Sequence, residues 1–129
     1  MPQVTTMGRV LVPVANQDEA IAFYTGRLGF TLTSDAAFGE GERWVEVTPP
    51  GGGCAVALVT PQGQYAPGRM TGIALGSADP RADHAELAGR GVDVDEQLWG
   101  GDGVAPLGFF FRDQDKNQLM IVQEWTSPR

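Results

Sequence analysis

The stretch MGRVLVPVANQDEAIAFYTGRLGF, residues 7–30, carries a strand, a helix start and a helix stop in succession. Val10, Val12 and Val14 alternate with Arg9, Leu11 and Pro13, a period-two pattern with one strongly apolar face. Pro13 has no N–H for a ladder, which suits a sheet edge or a strand end. Asn16 precedes Glu19 at capping-box spacing, its side chain placed to accept from first-turn amides. Ala20, Ile21, Tyr24 and Leu28 fall on one helical stripe, and Gly29 supplies the left-handed residue that ends such a helix.

Downstream, strands are predicted over residues 30–33, 43–48 and 55–60, the last bounded by the turn at 49–53 and by Pro61. The polar run PQGQYAPGR, residues 61–69, reads as a connection. A strand is then predicted over 71–76, followed by Asp79 and Pro80 as N-cap and first helical residue. His84, Leu87 and Ala88 form the inward stripe of that helix, and Gly91 ends it. Residues 92–95, 109–112 and 119–123 complete the strands, separated by the glycine-rich loop 97–108 and the turn 113–117.

The halves superimpose at a single offset. Asn16 maps onto Asp79 (79 − 16 = 63), Arg9 onto Gly72, and residues 55–60 onto 118–123. A period of this length with strand-helix-three-strand content indicates two copies of one unit, each with a sheet face to bury. The fold class is therefore α+β, with module one over about 7–62 and module two over about 70–126 of a single domain.

Composition narrows the function. The chain has 129 residues and a formal charge of −7, and its nine Lys and Arg are scattered. An acidic surface without a basic stripe argues against nucleic acid or an anionic membrane as partner. One cysteine, Cys54, excludes an internal disulfide framework and a Cys-rich zinc site. No apolar run approaches the roughly 20 residues of a membrane span, and no signal pattern opens the chain, so a cytoplasmic location is expected.

Two motifs carry a resemblance. V-x-N-x-D-E-A-x-x-F-Y-x-x-x-L-G-F occupies residues 14–30, and F-R-D-x-D-x-N-x-L occupies 111–119. With them the chain resembles the vicinal oxygen chelate superfamily, the glyoxalase / bleomycin resistance / dioxygenase family, over about residues 7–125. Gln114 and Lys116 stand where that family's D-P-D-G-N turn has proline and glycine. The resemblance implies two βαβββ modules forming a cup-shaped mixed sheet, with helices on the convex face, a cavity on the concave face, and a homodimer.

In metal-dependent members of that family, the first and last strand of each module supply four ligands to a divalent ion. Those positions correspond here to Arg9, Ala57, Gly72 and Met120, of which none is a credible ligand for a hard or borderline metal. A one-residue slip substitutes Val10, Ile73, Val56 or Leu58, and Leu119 or Ile121, and restores nothing. The expectation is no metal and no cofactor.

Other constellations are weak. His84 is the single histidine and sits on a helix, where packing or capping is its ordinary role. Asp113, Asp115, Asn117 and Glu124 imitate a calcium loop, but Gln118 replaces the required glycine and a strand follows. One His and one Cys make no nucleophilic triad.

By strand phase Leu11, Ala57, Val59, Met120 and Val122 face the cavity. Trp44, Tyr65, Trp99, Phe109, Phe111 and Trp125 are candidates for its walls or rim, and each serves equally well as a core or dimer contact. Arg9 at a metal-ligand position needs an anionic partner, from Glu46 or from a ligand carboxylate or phenolate. Two functions remain open: a metal-free protein sequestering an aromatic or apolar ligand such as an antibiotic, or a divalent-metal-dependent lyase, isomerase or ring-cleaving dioxygenase.

Overall fold

The first strand alternates because its two faces have different surroundings. In a computed structural model describing residues 1–61 and 63–124, β1 (Arg9–Pro13) leaves Arg9 and Leu11 exposed while Val12 is fully buried. The chain divides into two compact units, Met1–Pro67 and Gly68–Arg129, each with the same strand-helix-three-strand order. Trp125 lies outside the described residues.

In the first unit, α1 (Gln17–Gly26) starts at Asn16, whose extended backbone lets its side chain accept the Glu19 amide at 2.9 Å. That is the forward half of the predicted capping box. Gly29 has φ +78°, and the Phe30 amide returns to the Tyr24 carbonyl at 2.9 Å. β2 (Thr31–Phe38), β3 (Glu42–Thr48) and β4 (Ala55–Val59) follow, in sheet order β1-β4-β3-β2 with β1 parallel to β4. α1 packs on β2, β3 and β4, enclosing Val12, Ala20, Tyr24, Val45, Val47 and Leu58. Each such side chain contributes about 1.5–3 kcal/mol of burial free energy, or less for alanine.

β2 is longer than the predicted 30–33. Its sequence TLTSDAAF is poor in strand formers, and a bulge between Leu32 and Ser34 breaks the alternation. Pairing with β3 extends it to a hairpin closing at Phe38 and Glu42, and Arg43 reinforces it with two bonds to the Asp35 carboxylate, 2.8 and 2.9 Å.

The second unit repeats the plan. β5 (Met70–Ser77) leads to α2 (Pro80–Gly89), capped by the Asp79 side chain on the Ala82 amide at 3.2 Å. β6 (Asp93–Val94), β7 (Gly108–Arg112) and β8 (Gln118–Gln123) complete a sheet of order β5-β8-β7-β6. The offset of 63 survives: Leu11 lies beside Ala57 and Ala74 lies beside Met120 (74 − 11 = 63). Within α2, Leu87 is buried as predicted, whereas Ala88 is exposed and Pro80 takes part in the inner face instead. No described helix is long and apolar enough to cross a membrane.

The turn from β7 to β8 is built on a buried carboxylate. Asp113 Oδ1 accepts the amides of Asp115 and Asn117 at 2.8 and 3.0 Å, and Asn117 donates to Oδ2 at 2.9 Å. Asn117 Oδ1 accepts the Gly68 amide at 2.9 Å. The turn thus keeps its shape without proline or glycine, and Lys116 adopts φ +65° in glycine's place.

Candidate functional site

Each sheet has one face against its helix and one face turned away from it, called the open face here. In the first unit, register places Arg9 and Leu11 of β1, Ala57 of β4, and Trp44 and Glu46 of β3 on the open face, with Ser34 and Ala36 of β2 opposite them. Val59 continues this row beside Pro13. Leu11 is exposed, Ala57 fully buried, and Val59 and Trp44 half-buried. Phe38 adds a ring 6.3 Å from Trp44 in an edge-on arrangement.

Three side chains on this surface interlock through polar contacts. Arg9 Nε donates to Glu46 Oε2 at 2.8 Å, and Trp44 Nε1 donates to the same oxygen at 2.5 Å. The Glu46 side chain is 13% exposed and that of Arg9 is 51% exposed, so the carboxylate is the more buried partner of the pair. The Trp44 hydrogen bond holds the Glu46 carboxyl below its ordinary range; burial opposes this and Arg9 adds to it. Tyr65 donates its hydroxyl to the Leu11 carbonyl at the β1 edge, and burial pushes its phenol pKa up.

The four positions that correspond to metal ligands hold groups that do not fit a divalent ion. Arg9 is a cation already bound to Glu46, Ala57 and Gly72 carry no donor, and Met120 offers a thioether. Among the described residues no cluster of three His, Cys, Asp or Glu is arranged to hold a metal.

The second unit's open face differs from the expectation. Phe110 lies opposite Met120, and Gly108 opposite Val122, so these four share the open face with Ala74 and Gly76. Phe109 and Phe111 pair with Ile121 and Leu119 on the helix side and are fully buried, which removes both from the expected wall. The reason is one residue of turn length. Glu46 sits opposite Ala57 but Phe110 sits opposite Met120, so the offset in this strand is 64 (110 − 46 = 64). A slip of one residue exchanges the faces of a strand. The shorter β7–β8 turn was the available signal for Phe110.

Trp99 stands at the base of the loop 97–108 rather than at its tip. It exchanges two backbone bonds with Gly108, both 2.9 Å, and its ring lies 5.9 Å from Phe110. Its buried Nε1 has no hydrogen-bond partner among the described residues. His84 has a structural role: Nε2 is 2.7 Å from the Asp95 carbonyl, and the ring meets Phe109 edge-on at 4.9 Å.

The comparisons agree with this architecture. Among curated proteins none matches the chain. Of solved structures, TnmS3, an antibiotic binding protein from Streptomyces sp. CB03234, is similar at 31% identity and TM-score 0.84, covering 97% of this chain and 100% of that one. A member of the glyoxalase/bleomycin resistance protein/dioxygenase superfamily from Sphaerobacter thermophilus DSM 20745 gives 29% identity and TM-score 0.88, over 95% of this chain and 100% of that one. A glyoxalase/bleomycin resistance protein from Streptomyces sp. CB03234 gives 34% identity and TM-score 0.74, over 88% and 96%. The family profile described as Glyoxalase/Bleomycin resistance protein/Dioxygenase superfamily matches residues 6–121, and the chain belongs to that superfamily.

Proposed function

We propose that this protein is a metal-independent small-molecule-binding protein, a cytoplasmic homodimer that sequesters a flat aromatic or apolar ligand, with antibiotics the class to test first. One observation carries the reading: the first metal-ligand position is an arginine tied to Glu46 and Trp44, and the other three hold no hard donor. Trp44 with Phe38 in the first unit, and Trp99 with Phe110 in the second, supply aromatic area for stacking and apolar burial. The similarity to an antibiotic binding protein supports the choice of ligand class.

The test has two parts. Metal analysis of the purified protein after dialysis should find no stoichiometric Zn, Ni, Mn or Fe, and a chelator should leave ligand affinity unchanged. Titration with a panel of planar aromatic antibiotics should quench tryptophan fluorescence saturably. A stoichiometric ion would instead support a metal-dependent lyase, isomerase or dioxygenase, and silence across the panel would remove the binding function.

A further inference from the structure

Three arginines lie within described strands, and they differ in how their guanidinium groups are used. Arg43 gives Nε and Nη2 to Asp35 and Nη1 to Asp18, all within 2.9 Å. Arg112 gives Nε and Nη2 to Asp93, both at 3.1 Å, and its Nη1 reaches Asp95 at 2.8 Å and Gln118 at 3.3 Å. Both forks are filled. Arg9 engages Glu46 through Nε alone, and no other partner meets it among the described residues.

That leaves the two Nη groups of Arg9, with four N–H donors, at a half-exposed position on the strand face that also carries Leu11, with Ala55 opposite. Glu46 fixes the direction of this fork, because its Oε2 is itself held by Trp44 at 2.5 Å. At 51% exposure these donors are open to solvent. A flat ligand covering the face would exclude solvent from this edge, and a ligand without acceptors would leave the donors unpaired. Two oxygens in one plane match a guanidinium edge, and a carboxylate supplies both with the opposite charge.

We infer that the ligand recognised on the first unit's open face is an aromatic carboxylate, its ring beside Trp44 and its two oxygens on the Nη edge of Arg9. Glu46 is a positioning residue in this arrangement: it aims the guanidinium and takes no part in the ligand contact. The inference rests on the ligand-binding reading above and specifies its chemistry.

The test compares anthracene-2-carboxylate with its methyl ester, the same ring without the charge, by fluorescence anisotropy at neutral pH and low salt. Wild-type protein should bind the acid about tenfold or more tightly than the ester, the scale of a charge-assisted bond. Arg9→Gln should bring the affinities for acid and ester within about twofold of each other. Arg9→Lys, which keeps the charge without the planar fork, should retain part of the preference, so a general loss of folding in one variant does not decide the outcome. Equal affinity of wild-type protein for acid and ester, or an acid preference that survives Arg9→Gln, would overturn the carboxylate assignment while leaving ligand binding intact. Failure to bind either probe while an antibiotic of the panel still quenches tryptophan fluorescence would overturn the carboxylate assignment alone, and silence across the panel as well would overturn both.

Discussion

Trp99 lies directly over Gly108: a Cβ added to that glycine would sit 2.6 Å from Trp99 Cη2 and 2.8 Å from the Ile121 carbonyl oxygen. Neither contact is tolerable for real atoms, and the carbonyl belongs to the neighbouring strand and moves little. Gly108→Ala should therefore destabilise the protein by about 1–3 kcal/mol, the usual cost of overpacking. Urea unfolding measures this. Because two of the three clashing atoms belong to the indole, Trp99→Ala combined with Gly108→Ala should cost less than the two single changes added together. Strict additivity would mean that the indole moves aside without cost.

The Asp113–Asn117 turn makes a different prediction, about polar satisfaction. Asn117 is 1% exposed and joins three points: it donates to Asp113, accepts from Gly68, and its own amide is held by Asp113 Oδ1. Asn117→Ala strands the Gly68 amide and weakens the hold on a carboxylate that is 3% exposed. The expected loss is about 2–3 kcal/mol, read from the denaturation midpoint at unchanged slope. A loss below about 0.5 kcal/mol would show that water replaces the amide.

Lys116 offers the opposite sign. It sits at φ +65°, where a side chain is strained, and its Nζ makes a long, exposed 3.4 Å contact with Asp93. Lys116→Gly relieves the strain, loses little electrostatic energy, and adds unfolded-state entropy. The net expectation is a gain of about 0.5–1 kcal/mol, visible as a rise in Tm. A fall in Tm would mean that the turn depends on the lysine side chain.

These elements also show what the sequence made legible. The helix boundaries were readable because Asn16, Asp79, Gly29 and Gly91 each perform a local task that few residues perform, and the structure uses all four in those roles. The Arg9–Glu46 pair was readable because β1, β4 and β3 keep strict alternation where they meet. Phe109 and Phe111 were misplaced because face assignment depends on register, and register depends on a turn one residue shorter than its counterpart. The length of β2 was hidden for a related reason: its residues have weak strand preference, and pairing with β3 supplies what propensity lacks. The Trp99 placement over Gly108 is a tertiary fit with no local signature beyond the glycine itself.

Glu46 gives the last prediction, on pH. Its carboxyl titrates below its ordinary value of 4.5, first through the Trp44 indole, against the effect of burial, and with help from Arg9. A lowered folded-state value means that the unfolded chain takes up this proton first as the pH falls. The stabilisation is therefore complete above the ordinary value and is lost as the pH drops through the lowered one. Asp35, Asp93 and Asp102 are lowered as well, the first two by Arg43 and Arg112 and the third by backbone amides, so the whole acid limb is shared. The difference between wild type and Glu46→Gln isolates one group. That difference should be constant from about pH 6 to 8 and should shrink below about pH 4. Trp44→Phe removes the leading cause while leaving Arg9 in place, so its gap from Trp44→Phe/Glu46→Gln should begin to close at the same pH as the wild-type gap, shrink by less, and stop shrinking at a higher pH. A difference that stays flat down to pH 3, or widens, would mean that Glu46 gains nothing from these partners in the folded state.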